Sequence, residues 1–257
     1  RSSQGVELTP PGLAFVQHAR TVLAQLEHLR ADLQEYAKGI KGHLRVFANT
    51  TASSEFLPQV LRTFLIRHPD VNVDLRERSS DEIVRAVLDG QTDLGIVAGT
   101  VRTGQLETIP YREDRLALVV AEGHPLADEA SIDFVRTLDF DQIGLHEASA
   151  IHAFVRRVCD DLHRVARFRI QVGNFESACR MIEAGIGVGI VPTSAALRHA
   201  RTMAIRIVPL RDDWALRRLA ICARSLASLP SFALDLVELL EEDARQATAP
   251  PPGEPRR

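Results

Sequence analysis

The sequence predicts an α/β protein: two lobes of alternating strands and helices forming a hinged clamshell, with one long helix in front. Three observations predict it. Phe15, Ala19, Val22, Leu26, Leu29, Leu33 and Tyr36 follow one another at alternating spacings of four and three. From His43 onward, short β-branched runs alternate with helical stretches, the mark of a parallel sheet with helices on its faces. That alternation runs twice, with a break at Gly123-His124-Pro125-Leu126.

Each element has a local reason. The four-three spacing is that of a coiled-coil seam, and polar residues such as His18, Glu27, Arg30 and Asp32 fill the positions between. It favours a helix that pairs with a copy of itself over one packed on its own domain. Pro10 and Pro11 suit the first helical turn, which has no N–H bond to lose, and Gly39 and Gly42 end the helix. Leu44–Ala48 reads as a strand, and Ser53–Arg67 as a helix after a Thr50-Thr51 turn. Val71–Arg76 alternates like a strand, and Ser80 caps a helix to Leu88 that Gly90 closes. Asp93–Ala98 is a short apolar run suited to a buried parallel strand.

After a strand at Leu116–Ala121 the second round begins. Its strands are Gln142–Leu145, Phe168–Val172 and Val188–Val191; its helices are Ile151–Leu162, Glu176–Ala184 and Ser194–His199. Strands at Ile205–Val208 and Arg218–Ala223 follow, then a closing helix from Ser231 to Ala244. The strands at 116–121 and 205–208 are placed to pass between the lobes. The proline-rich tail Ala249–Arg257 has nothing to pack with and reads as disordered.

With 257 residues, 45% hydrophobic and 25% charged, the chain has the composition of a globular protein. A formal net charge of −3 argues against a uniformly basic nucleic-acid binder. Cys159, Cys179 and Cys222 form no CxxC pair, so they suit buried thiols in a reducing compartment better than a disulfide framework or a zinc site. No apolar run approaches the ~20 residues of a membrane span. The start Arg1-Ser2-Ser3-Gln4-Gly5 has neither a signal peptide's regions nor an initiator methionine. The chain therefore reads as cytoplasmic and as a piece of a longer protein.

Several segments, in order, resemble the LysR-type transcriptional regulators over nearly the whole chain. Gly5-Val6-Glu7-Leu8-Thr9-Pro10-Pro11-Gly12 resembles the exit from that family's DNA-binding head. His68-Pro69-Asp70-Val71, Asp93-Leu94-Gly95-Ile96, Gly123–Ala127 and Glu183–Pro192 match family landmarks in order and spacing. The resemblance implies that residues 1–12 end a winged helix-turn-helix and that 13–42 form a linker helix for dimerisation. It implies an effector-binding domain of the type 2 periplasmic-binding-protein fold over 43–248. Lobe I would take about 43–120 and 205–248, and lobe II about 121–204. It implies a homodimer or homotetramer, with promoter DNA read by a helix-turn-helix that would precede Arg1, and no membrane partner.

The same resemblance places an effector between the lobes, against Asn49, Thr50, Thr51, Ser53 and Ser80 of the first lobe. From the second lobe come His146, Ser149, Asn174, Phe175 and Glu176. The chemistry fits a small polar ligand, an organic acid among them. Helix starts present free N–H groups and the positive end of the dipole, and hydroxyls add neutral donors. Each residue also has a structural reading: Ser53, Ser80, Ser149 and Asn174 are natural helix caps, Phe175 suits a core, and His146 suits a hydrogen-bonded structural role.

Enzyme readings find little support. There is no G-x-S-x-G elbow, no HExxH and no Cys/His cluster of zinc spacing. Gly185-Ile186-Gly187-Val188-Gly189 lies between a helix and a strand, the reverse of a dinucleotide-binding loop, and reads as a helix stop with a tight turn. The expectation is a regulator with no catalytic residue, cofactor or metal. A solute-binding protein of a transport system shares the clamshell and is the main competitor. A dimeric adaptor without DNA binding also remains.

Overall fold

Thr9 opens the N-terminal helix: its Oγ1 accepts the Gly12 N–H at 3.3 Å, and Pro10 to Gly12 are already helical. The computed structural model describes residues 9–12, 15, 16, 18, 19, 22, 23, 26, 42–98, 101–147 and 149–248. Of the heptad positions, Phe15, Val22 and Leu26 are 73%, 55% and 52% exposed. Leu29, Leu33, Tyr36, Gly39, the segment Gly5–Leu8 and the tail Ala249–Arg257 lie outside the described residues.

The first lobe runs β1 (Gly42–Ala48), α1 (Leu57–Arg67), β2 (Val71–Glu77), α2 (Ser80–Leu88) and β3 (Leu94–Ala98). β1 pairs in parallel with β2, from Gly42↔Val71 to Ala48↔Glu77, and on its other side with β3. Leu44–Ala48 is buried throughout because helices cover the sheet. Gly42, expected to end the preceding helix, instead begins β1.

Two helix starts differ from expectation. The first helix begins at Thr50 rather than Ser53, with a π-turn over Ala52–Phe56 ahead of α1. Asn49 caps it, its Oδ1 accepting the Ala52 N–H at 2.9 Å, so Thr50 and Thr51 lie inside the first turn. At α2 the cap is Ser79, not Ser80. Its hydroxyl accepts the Glu82 N–H while the Glu82 carboxylate accepts the Ser79 N–H, a complete capping box. Ser80 faces the sheet instead, where its Oγ accepts the Ala98 N–H at 2.9 Å.

The chain then crosses to the second lobe on β4 (Glu107–Ala121). There follow α3 (Phe134–Thr137), β5 (Gln142–Leu145), α4 (Ala150–Asp161), β6 (Phe168–Val172), α5 (Phe175–Glu183), β7 (Gly189–Pro192), α6 (Thr193–His199) and β8 (Ile205–Pro209). β9 (Leu216–Ala223) and α7 (Ser231–Thr248) return to the first lobe.

The first sheet has the order β2-β1-β3-β9-β4, with β9 antiparallel to both neighbours. The second half of β4 pairs antiparallel with β7 and β8. The parallel pair β5-β6 joins that second sheet where the Ile143 N–H meets the Val188 carbonyl at 2.7 Å. Residues 205–208, expected in the first lobe, thus belong to the second. β8 pairs with Ala117–Ala121, and Ile205 and Val208 pack in the second core. The return crossing therefore falls later, between Leu210 and Leu216.

Each lobe has its own core. Leu44, Phe64, Ile96 and Leu236 anchor the first; Leu118, Phe134, Ile182 and Val208 anchor the second. A smaller cluster under α2 holds Phe47, Ile83 and Cys222. The three cysteines are buried free thiols.

The stretch Gly185–Gly189 is the expected helix stop. Gly185 has φ +73°, and the N–H groups of Gly185 and Ile186 donate to the Ile182 and Met181 carbonyls, a Schellman closure. At Gly187 a Cβ would stand 2.4 Å from the Asp141 carbonyl oxygen, on the backbone leading into β5. Gly187→Ala is expected to destabilise the protein by about 1–3 kcal/mol, read as a melting midpoint lower by roughly 2–12 °C.

Burial is the main cause lowering the pKa values of His124, His152 and His199. His152 is 3% exposed and stacks near Phe168, while the His124 Nδ1 accepts the Leu126 N–H. Each is held neutral in the fold and binds a proton more readily when unfolded. Their contribution is fully present above the ordinary histidine value near 6.5 and is lost as pH falls through the lower folded values. Urea midpoints compared at pH 7.5 and 5.5 should fall on the acid side, and His152→Gln should flatten that drop.

Candidate functional site

Ligands of open α/β sheets bind beyond the carboxyl ends of their parallel strands. Those ends meet here across one cleft. The segments after β1, β2 and β3 face it from the first lobe, and those after β5 and β6 from the second.

The cleft holds two adjoining cavities that share Ser79 and Glu82. One, of about 420 Å³, lies between Thr50, Glu77 and Arg78 on one side and His146 and Gly173 on the other. The second, of about 360 Å³, runs from Ser80 and Val101 to Ser149 and Phe154 and reaches Trp214 and Arg217 at the return crossing.

The predicted residues divide by how they are occupied. The Thr50 hydroxyl donates to Glu77 Oε1 at 2.6 Å, and Ser80 is held by Ala98. Ser53 sits half-buried in the π-turn, its N–H bonded to the Asn49 carbonyl. Asn174 spends its Oδ1 on the Ser177 N–H as the cap of α5. Phe175 is 3% exposed and belongs to the second core, which takes it out of reach of the cleft. Glu176 is exposed, and His146 is exposed at the first cavity.

Three others are buried with a polar atom unsatisfied: Asn49 Nδ2, Thr51 Oγ1 and Ser149 Oγ. Ser149 is the N-cap residue of α4, yet its side chain makes no cap bond. A buried polar group without a partner costs about 1–3 kcal/mol. Of the three, Ser149 lines the second cavity.

Charges at the crossings were not legible beforehand. Asp114 of β4 lies opposite Arg217 of β9. Burial pushes the Asp114 carboxyl up, against the pull of Arg217 and the Ser194 N–H. Burial likewise lowers the Arg217 pKa despite Asp114, and its Nη1 has no hydrogen-bond partner. An Arg-Arg pair in a strand reads as two surface residues. Only the cross-strand partners separate Arg218, bonded to Glu113 at 3.0 Å, from Arg217.

A second tie spans the lobes. Arg198 of α6 makes two hydrogen bonds to Glu55 of the π-turn, at 2.9 and 3.1 Å, and Glu55 is only 6% exposed there. Among the described residues no helix is long and apolar enough to cross a membrane.

Two α/β lobes joined by crossing strands, with helix starts facing a shared cleft, define a small-molecule-binding clamshell of the type 2 periplasmic-binding-protein fold. The chain belongs to the family described as the LysR substrate binding domain, which matches residues 37–245. A probable RuBisCO transcriptional regulator of Thalassiosira pseudonana is 26% identical over 231 residues, 86% of this chain and 75% of that one. Among solved structures, the Synechocystis PCC6803 CcmR regulatory domain in complex with 2-PG superposes with TM-score 0.70 at 20% identity, over 79% of this chain and 98% of that domain. A full-length BenM mutant superposes with TM-score 0.68 at 21% identity, over 98% and 84%. The chain is an effector-sensing domain of a LysR-type transcriptional regulator.

Removing Arg198 would leave the Glu55 carboxylate inside without its partner. Arg198→Ala is expected to cost on the order of 1–3 kcal/mol of stability, measured by urea denaturation at pH 7, with Glu55→Gln in the same background recovering part of the loss.

Proposed function

We propose that a small polar metabolite, an organic acid by class, binds between the lobes and controls how the parent regulator engages promoter DNA. The observation that carries this reading is the set of unsatisfied buried groups, Asn49 Nδ2, Thr51 Oγ1 and Ser149 Oγ. They come from both lobes, so a ligand bonded to all three favours the closed form over the open one. That differential affinity is the only means by which a ligand shifts such an equilibrium. The 2-PG complex of the CcmR regulatory domain supports an acidic ligand by analogy of fold.

DNA reading is assigned to a helix-turn-helix N-terminal to the long helix. The exposed apolar residues Phe15, Val22 and Leu26 suit pairing of that helix with a second copy. Closure of the lobes then moves the paired heads relative to one another. The family match and the regulator relatives favour this reading over a transport solute-binding protein, and they favour no catalytic role.

The test is a thermal-shift screen of carboxylic acids, sugars and amino acids. A ligand at one hundred times its Kd stabilises by about 2.7 kcal/mol, a rise of roughly 5–11 °C. Thr51→Val, nearly isosteric but without the hydroxyl, is expected to keep the fold and lose the shift. A flat screen, or an undiminished shift in Thr51→Val, overturns the assignment.

A further inference from the structure

The first helix starts with an unusual winding, and one side chain of that turn reaches the other lobe. In the π-turn Ala52–Phe56 the Leu57 N–H donates to the Ala52 carbonyl, five residues back. Ala52 and Leu57 are both buried, although an α-helix would set residues five apart at about 140° to one another. Such turns are rare and are found frequently at functional sites. Here the turn presents Glu55 to α6, where both of its carboxylate oxygens accept hydrogen bonds from Arg198. This forked arrangement is the strong form of an arginine–carboxylate pair, and the Glu55 side chain is nearly sealed from solvent.

Both arms of the pair are moored to the crossing strand. On the first-lobe side, Phe56 packs edge-on against Tyr111 of β4, with ring centroids 6.2 Å apart, and lies 5.0 Å from the Arg112 guanidinium above its ring. Tyr111 and Arg112 sit in the irregular register between Pro110 and Glu113. Asp243 of α7 holds them there: its Oδ2 accepts the Tyr111 hydroxyl and the Arg112 Nε–H, each at 2.8 Å. On the second-lobe side, α6 begins at Thr193, whose hydroxyl donates to the Arg115 carbonyl of β4 at 2.7 Å. Arg112 and Arg115 are close neighbours on β4, and the strand changes sheets just after them, at Leu116. A bend of β4 at that point swings α6 relative to the π-turn and works directly on the Glu55–Arg198 pair.

We infer that Glu55 and Arg198 form an interlobe latch that biases the two lobes toward this relative placement without any ligand. Asp243 is its positioning residue, acting through Arg112 and Phe56. The inference stands on these contacts alone and holds whatever the cleft binds. The chain itself then sets the resting position of the hinge, and a ligand acts with or against that bias according to which placement it binds better.

The test is a distance measured across the lobes of the ligand-free chain. Arg85 of α2 and Asp160 of α4 are exposed, and those two helices line opposite walls of the second cavity. Spin labels on Arg85→Cys and Asp160→Cys therefore report lobe separation by double electron–electron resonance, while the three native thiols stay buried. One dominant distance is expected in the labelled chain with no further change. Arg198→Ala and Glu55→Gln should each broaden the distribution and shift its mean. Arg198→Lys, which keeps the charge without the fork, should fall between. Glu55→Gln is nearly isosteric and serves as the test if Arg198→Ala does not fold. Asp243→Ala should shift the distribution in the same direction, and its effect should vanish in the Arg198→Ala background. A distribution unmoved by Glu55→Gln, or already broad before any latch residue is changed, overturns the latch. An Asp243→Ala shift that persists in full without Arg198 overturns the positioning role of Asp243.

Discussion

One strand is hydrogen-bonded into both lobes, and the rest of the molecule is arranged around it. Residues Glu107–Arg115 of β4 pair with β9 in the first sheet; from Leu116 the strand pairs with β7 and β8 in the second. A continuous paired strand resists sliding and separation of the lobes, so bending about the crossing is the motion that keeps its ladders intact. The return path is fastened to the same point. The Arg115 guanidinium donates to the Leu210 carbonyl, and the Arg115 carbonyl accepts the Thr193 hydroxyl at 2.7 Å. The irregular register between Pro110 and Glu113 gives β4 a local twist just before it leaves the first sheet.

Buried polar groups without a partner occur on both sides of that strand. Some buried groups of the second lobe are met locally, Gln142 donating to the Thr137 carbonyl and Thr137 to the Phe134 carbonyl, whereas His152, Ser194 and His199 keep unpartnered polar atoms. Ser149, which lines the cleft, has a buried hydroxyl without a partner, and so has Thr51 at the first helix start. Stability is lower there than a fully satisfied core would provide, a common cost at functional sites. Thr50 and Ser80 lie close by and are paired within their own lobe, so their bonds persist whether the lobes are open or closed.

Much of this was legible in the sequence because parallel strands covered by helices are written as continuous apolar runs. Leu94–Ala98 is such a run, and Leu44–Ala48 is one broken only by Arg45. The cap of α2 was also legible and was misplaced by one residue: Ser79 has a glutamate three positions on, Ser80 has Ile83. The first half of β4 was not legible. Pro110 and the charged run Arg112-Glu113-Asp114-Arg115 lack the apolar pattern of a strand. They form a strand because β9 brings Arg218 and Arg217 opposite Glu113 and Asp114, a cross-strand pairing no local window contains. The same blindness hid the lobe of β8 and the burial of Arg217. Hydroxyls at helix starts are local signals, whereas a buried guanidinium without a bond is a property of the assembled sheet.

In the proposed mechanism, closure is shared between chain and ligand. The Glu55–Arg198 pair joins the lobes with groups the chain itself supplies, and Glu55 is nearly sealed by the contact. A ligand therefore need not provide the whole difference between open and closed forms; it adds to a bias already built in. A strong pair makes the sensor easy to close but hard to reset, since a ligand shifts populations only by what separates the two states. Arg198 keeps 51% of its side chain in solvent, which moderates the net contribution of the pair. A weak latch at one side of the cleft and unsatisfied groups within it are together what a reversible switch requires. Neither would serve without a strand that both lobes must share.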